Sequence, residues 1–352
     1  MKRVSIYFLV IGLTGVLIAG LVSPAKAGPP GQFTDPVEQG KYLTTIAGCI
    51  GCHTPFTPEG IPDETRQFAG GQEFDLGPLG KLYSRNLTSD KETGLGDWTD
   101  EEIKLAIRAG VTRDGRHLFP LMPYVIFSNM AEADLDAIVA FLRTLPPVSN
   151  KFEPVQILPP AALPQLPIRT DIVAPDPANT AERGRYLLTA VIACTDCHTP
   201  VDPQTGAPVF DKYLAGGQPF EGPWGIVYGG NITPDENTGI GKWSDEDIKR
   251  ILQQGVRPDG RQVVLMPWQE YTVLTEADLN AVVHYLRNDV KAVNIQVPAA
   301  ALNEGFIEFV ELPKPAGPDA TQIALIAVGV IVVIAGVGAM VYFSRRARSG
   351  VK

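Results

Sequence analysis

Two long uncharged runs bracket the chain, and a mixed polar and apolar middle lies between them. Val4 to Val22 follows Met1-Lys2-Arg3 and runs into Ser23-Pro24-Ala25-Lys26-Ala27. A basic start, an apolar stretch and an A-x-A site are the parts of a secretory signal cleaved after Ala27, or of an uncleaved N-terminal anchor where the apolar run is this long. Both outcomes place residue 30 onward outside the cytoplasm. Ile323 to Phe343 carries no charge, and at about 1.5 Å per residue it crosses the roughly 30 Å hydrocarbon layer as a helix. Arg345, Arg346 and Arg348 follow it at once, which puts the C-terminus on the cytoplasmic side. In the middle, Leu135, Ile138, Val139 and Leu142 fall at i, i+3, i+4, i+7, and Leu279, Val282, Val283 and Leu286 repeat that stripe. Each spacing predicts an amphipathic helix, the first over 131–145, with its stripe in a core.

The repeated stripe belongs to a longer duplication. Gly40-Lys41-Tyr42-Leu43 returns as Gly184-Arg185-Tyr186-Leu187, Ala69-Gly70-Gly71-Gln72 as Ala215-Gly216-Gly217-Gln218, and Asn86-Leu87-Thr88 as Asn231-Ile232-Thr233. Trp98 pairs with Trp243, Met122-Pro123 with Met266-Pro267, and Leu142-Arg143 with Leu286-Arg287. All these offsets lie between 144 and 146, so the chain holds two copies of one domain and no short-period solenoid. A short helix is predicted over 37–47 in the first copy. Thr99-Asp100-Glu101-Glu102 opens another with a capping-box pattern, and Ser244-Asp245-Glu246-Asp247 opens its counterpart. Glycine- and proline-rich loops fill the space between the first and second helices of each copy.

Nine prolines between Pro146 and Pro177 exclude helix there and predict an extended, stiff strap. Gln296 to Leu302 resembles Gln156 to Leu163, so each strap is expected to pack on a domain surface. The resulting organisation is an N-terminal signal or anchor over 1–27, a first domain over 37–148, a Pro-rich linker over 149–180 and a second domain over 181–290. An extended linker over 291–320, a transmembrane helix over 321–344 and a basic cytoplasmic tail over 345–352 complete it.

Of the 352 residues, 45% are hydrophobic and 20% charged, a composition that folds. The net charge of −9 understates the acidity of the middle. The tails hold seven of the 30 basic residues and none of the 39 acidic ones, which leaves 23 against 39 between them, a net of −16. That excludes nucleic acid as a partner and favours a basic protein surface.

All four cysteines lie in Cys49-Ile50-Gly51-Cys52-His53 and Cys194-Thr195-Asp196-Cys197-His198. Cys-x-x-Cys-His is the pattern of covalent c-type haem attachment: two thiols add to the two vinyl groups and the adjacent imidazole turns to the iron. A zinc ribbon would bring the pairs within roughly 20 residues of each other, and a thioredoxin-like dithiol would need a βαβ context. The chain has neither. The second axial ligand is sought among His117, His284, Met122, Met130 and Met266. Met122 follows His53 by 69 residues and Met266 follows His198 by 68, which selects the two Met-Pro methionines. His117 and His284 have Gln262 and Ala140 at their copies, so either could serve only in its own half. Trp98, Trp243, Arg116 and Arg261 are candidates to wall the haems or hold their propionates, with packing and solvated loop positions as the alternative. Asn86-x-Thr88 and Asn231-x-Thr233 fit the glycosylation sequon, but their repetition points to a turn or a pocket role.

The motif pair, Gly-Gly-Gln, the stretch 86–98, Asp114-Gly115-Arg116 and Met122-Pro123-Tyr124 resemble the class I cytochrome c fold. In particular they resemble the cytochrome c subunits of bacterial membrane-bound alcohol and aldehyde dehydrogenases. Those subunits typically hold three haem domains, whereas this chain has two and a hydrophobic C-terminal span. The resemblance implies a mostly α protein of two tandem class I domains with two covalent haems c, attached at Cys49, Cys52, Cys194 and Cys197. Iron is then held by His53 with Met122 and by His198 with Met266. The expected function is electron relay in a respiratory or photosynthetic chain, on the periplasmic side, with no substrate chemistry of its own. Redox proteins, basic or membrane-bound, are the expected partners, with membrane lipid around the C-terminal helix. The competing expectation is a dihaem enzyme such as a peroxidase, which needs one open iron face.

Overall fold

The computed structural model describes residues 33–303 apart from 59, 78–79, 153–155, 158–165 and 203–206. No helix among the described residues is long and apolar enough to cross a membrane. The apolar runs read over 1–27 and 321–344 lie outside the described residues.

The first half opens with α1 (Pro36–Ile46), where Asp35 accepts a hydrogen bond from the Val37 N–H and Pro36 supplies a preset first-turn φ. One turn of helix, α2 (Cys49–His53), follows. α3 (Asp100–Ala109) starts from the full Thr99/Glu102 capping box and stops at Gly110, left-handed with φ 66°. A short α4 (Tyr124–Phe127) precedes α5 (Glu132–Thr144). The second half repeats the series as α6 (Thr180–Tyr186), a π-helical turn at Leu187–Val191, α7 (Cys194–His198), α8 (Asp245–Gln254), α9 (Trp268–Tyr271) and α10 (Glu276–Asn288). In α8 the box is made by Ser244 and Asp247. α1 lies across α5 and α6 across α10 at glycine crossings. A Cβ on Gly40 would stand 1.9 Å from the Ala137 carbonyl oxygen, and one on Gly184 2.1 Å from that of Ala281.

The stretches read as plain loops contain a small sheet in each half. β1 (Glu73–Asp75) pairs antiparallel with β2 (Gly80–Tyr83), in a register that faces Phe74 with Leu82. β4 (Pro219–Gly222) pairs with β5 (Gly225–Tyr228) in the same way, Phe220 opposite Val227. The straps supply the third strands: β3 (Gln156–Ile157) joins β2, and β6 (Ala301–Leu302) joins β5. Among the described residues the fold is therefore mostly helical with two three-stranded sheets. The Pro-rich stretch also closes on the first half. Val148 O accepts from the Asn86 side-chain amide at 2.7 Å, and Asn150 Nδ2 donates to the Ala69 and Gly70 carbonyls at 3.0 Å.

The halves share one continuous apolar core and meet through a reciprocal polar contact. Tyr42 of α1 donates to Asp278 Oδ2 of α10 at 2.6 Å, and Tyr186 of α6 donates to Asp134 Oδ2 of α5 at 2.5 Å. Tyr42 and Tyr186 are copies of one another, as are Asp134 and Asp278, so the contact has approximate two-fold symmetry. The third member breaks it. Gln39 Nε2 donates to Asp134 at 2.6 Å, whereas its copy Arg183 makes a two-pronged ion pair with Asp278 at 2.7 and 2.9 Å. Both carboxylates are almost wholly removed from solvent, 2% and 0% exposed, so unpaired they would be costly.

Candidate haem site

α2 and α7 are built alike. Each single turn is entered through a left-handed residue, Gly48 at φ 76° and Ala193 at φ 55°. The carbonyl of each terminal histidine is pinned from below: His53 O accepts from Gly70 N–H and His198 O from Gly216 N–H, both at 2.7 Å. Gly70 and Gly216 sit in the repeated Ala-Gly-Gly-Gln element. Each imidazole is then locked by its Nδ1, which donates to the Arg85 carbonyl at 2.6 Å in the first half and to the Gly230 carbonyl at 2.7 Å in the second. A carbonyl only accepts, so Nδ1 carries the proton and Nε2 keeps a free lone pair. Burial also pushes both imidazoles toward the neutral form.

Both motifs open on one continuous cavity of about 2380 Å³, which Met122, Met266, Trp98, Trp243, Arg116 and Arg261 also line. A single small-molecule site occupies roughly 300–1,000 Å³, so this space exceeds one ordinary ligand. The Met-Pro turns are again alike: Tyr124 N–H donates to Met122 O at 2.7 Å and Trp268 N–H to Met266 O at 2.8 Å. α4 and α9 begin there. The residues fit covalently held haem: two thiol pairs, two neutral imidazoles with the outer nitrogen free, and two thioethers line the one cavity. Burial pushes the Cys49 and Cys194 thiols up to about 12 and those of Cys52 and Cys197 up to about 11. All four line the cavity, Cys52 exposed and the other three half-buried. Such thiols are neutral at pH 7, the opposite of a thioredoxin-type nucleophile.

The remaining candidates separate. His117 is exposed and lies on the cavity rim. His284 is on the outer face of α10, its Nε2 3.8 Å from Asp289, and is not among the residues lining the cavity. Met130 is 1% exposed and packs in the core while touching the cavity. Arg116 and Arg261 reach the cavity but pair with Asp114 at 2.6 Å and Asp259 at 2.7 Å. Asn86 is 1% exposed and bends the chain, its Oδ1 accepting from Thr88 N–H and hydroxyl at 2.9 and 2.7 Å. Asn231 repeats the arrangement. These are turn residues, closed to glycosylation by burial.

Three residues escaped the sequence analysis. Arg85, facing the cavity from the carbonyl that holds His53, and Arg257, whose Nε makes no hydrogen bond and whose guanidinium lies 5.9 Å over the Trp243 ring, are half-specific: their copies are Gly230 and Thr112. Glu270 stands where the first half has Ile126. Reading the two copies for their differences would have found all three.

Comparison with known proteins agrees with the geometry. The family described as cytochrome c matches residues 37–146. The diheme cytochrome c-type protein of Cereibacter sphaeroides is 31% identical over 273 residues, covering 71% of this chain and 86% of that protein. The fructose dehydrogenase cytochrome subunit of Gluconobacter japonicus is 31% identical over 295 residues, 78% of this chain and 57% of that subunit. The gluconate 2-dehydrogenase cytochrome c subunit of Pantoea cypripedii is 32% identical over 293 residues, 77% of this chain and 64% of that subunit. The chain thus spans less than two thirds of the length of these two dehydrogenase subunits. With the duplicated attachment motifs, the locked imidazoles and this extent of similarity together, the chain belongs to the cytochrome c family, electron-transfer proteins that carry covalently bound haem c.

Proposed function

We propose that this chain is a dihaem c-type cytochrome that passes single electrons from a dehydrogenase to an acceptor, on the extracytoplasmic face of a membrane to which its C-terminal segment anchors it. Cys49 and Cys52 hold one haem and Cys194 and Cys197 the other; His53 with Met122, and His198 with Met266, are the axial ligands. The observation that carries the reading is the matched pair of imidazoles, each with Nδ1 spent on a backbone carbonyl and Nε2 free, on a cavity both methionines line. Haem supplies one-electron chemistry at iron; methionine on the second face closes it to substrates and raises the potential. The chain's own residues exclude water, fix the imidazole tautomer and hold the two sites in one rigid core. Fructose and gluconate dehydrogenase subunits among the relatives support a dehydrogenase as donor, and the net of −16 between the tails supports a basic docking face on a partner.

The test is a haem-stained denaturing gel with the intact mass. Two haems per chain are expected to survive denaturation. A single haem, or haem extracted by acidified organic solvent, overturns the reading.

A further inference from the structure

The second half reaches into the haem-attachment turn of the first. α9 packs against α1, and its Glu270 lies in a notch made by Gly48 and Gly51. A Cβ on Gly51 would sit 2.0 Å from Glu270 Oε1, and one on Gly48 3.0 Å from Oε2. The Gly51 backbone N–H is turned toward the carboxylate closely enough to offset part of the effect of burial on it. Oε2 is shut off from solvent with no hydrogen-bond partner. The copies of these positions are Ala193, Asp196 and Ile126, so both the notch and its acid belong to this side of the interface alone. Ala193 holds its left-handed φ of 55° without being glycine, which shows that the turn itself does not demand glycine at 48. The room for Glu270 comes chiefly from Gly51, where a Cβ would overlap Oε1.

We propose that Glu270 sets, from the other half of the molecule, the reduction potential of the haem on Cys49 and Cys52. The inference rests on the dihaem reading above. A carboxylate this close to the attachment turn, in surroundings of low dielectric, stabilises the ferric state, which carries one more positive charge. The potential of the first haem thereby depends on the two halves being packed together. Burial pushes Glu270 up to about 7, so its charge is present only on the alkaline side of neutrality. The titratable groups facing it are Cys49 and Cys52 from α2, which are thioethers once haem is attached, and Tyr271 of α9. The charged groups of α1, Glu38 and Lys41, are exposed. The second haem has an acid of its own, Asp196 on α7, and its wave is read separately.

The experiment is an optical redox titration of the purified protein at pH 5.5 and 8.5, after two haems per chain have been counted. The wave of the first haem is identified as the one that Met122→Ala moves. In the wild type it falls between the two pH values. Glu270→Gln, which keeps an acceptor for the Gly51 N–H, raises it at pH 8.5 by about tenfold in the reduction equilibrium, or about 59 mV for one electron. At pH 5.5 the variant matches the wild type, and the second haem is unmoved at both. Gly51→Ala, which expels the carboxylate but keeps its charge, shifts the same wave upward by less. An unchanged first wave in Glu270→Gln at pH 8.5, or a wild-type wave flat with pH, overturns the proposal, and the second of these needs no variant to fold. A haem count below two would instead overturn the dihaem reading itself.

Discussion

The two halves repeat one order of elements yet differ at several residues beside the contact between them. In the first, the buried interface carboxylate Asp134 is held by neutral donors, the Gln39 amide and the Tyr186 hydroxyl; in the second, Asp278 is held by the Arg183 guanidinium and the Tyr42 hydroxyl. In the first, the haem turn contributes Gly48 and Gly51; in the second, Ala193 and Asp196. The cysteines, histidines and methionines proposed to hold the cofactor recur in both copies, as do the tyrosine and aspartate of the interface, whereas their neighbours, Gln39 against Arg183 and Gly48 and Gly51 against Ala193 and Asp196, have diverged. These differences make the pair a single unit with an orientation, in which each half contributes something the other lacks.

Exchanging the two methionines proposed as axial ligands tests the shared part of the comparison and has the largest effect. Met122→Ala and Met266→Ala are each expected to remove one methionine-to-iron charge-transfer band, leave the other, and lower the potential of one haem only. Survival of both bands in both variants would return His117, on the cavity rim, to consideration. His284, on the far face of α10, would not explain it. Appearance of rapid peroxide turnover in the unmodified protein would mean that one iron face is already open.

Truncating the two interface carboxylates tests the divergent part. Asp278→Ala leaves the Arg183 charge buried without a partner and is expected to cost about 3–5 kcal/mol. Asp134→Ala leaves a hydroxyl and an amide unpaired but no charge, and is expected to cost about 1–3 kcal/mol. Denaturant midpoints of the haem-loaded variants give the two numbers. Equal losses would mean that the arginine adds nothing beyond what Gln39 supplies, and the two sides would then be energetically alike despite their sequences.

The candidate site was legible from sequence because its chemistry is local. Cys-x-x-Cys-His needs five consecutive residues, and the spacing to Met122 and Met266 is repeated, so a single chain carried its own control. The capping box at Thr99 and the stripe from Leu135 to Leu142 were legible for the same reason. The sheets were not. β1 has three residues, and β3 joins β2 from more than 70 positions away, so there is too little alternation in any one window to announce a strand. The interface was also out of reach: Tyr42 and Asp278 are 236 residues apart, and each looks like an ordinary member of an amphipathic helix. Glu270 lies between, invisible to periodicity but exposed by setting 270 against its copy at 126.

The smallest effect expected is on stability as a function of pH, and it measures the cost of putting an acid where the other copy has isoleucine. Glu270 has a folded-state value of about 7, above its ordinary 4.5, and burial is the cause. The native state therefore binds a proton that the unfolded chain has already released, and the stability associated with this group is present at low pH and lost as pH rises through about 7. Asp196 is also raised by burial, to about 6, so the pH profile of the wild type alone mixes several groups. The difference between wild type and Glu270→Gln removes them, because they are common to both. At pH 5 the two proteins should unfold at the same denaturant concentration. At pH 8 the variant should be the more stable by an amount on the order of 1 kcal/mol, the full shift being discounted because the side chain is partly exposed. A variant that is less stable than wild type at pH 8 would show that the carboxylate is welcomed in the glycine notch as an anion, held there by the Gly51 N–H, and that burial does not dominate its energy.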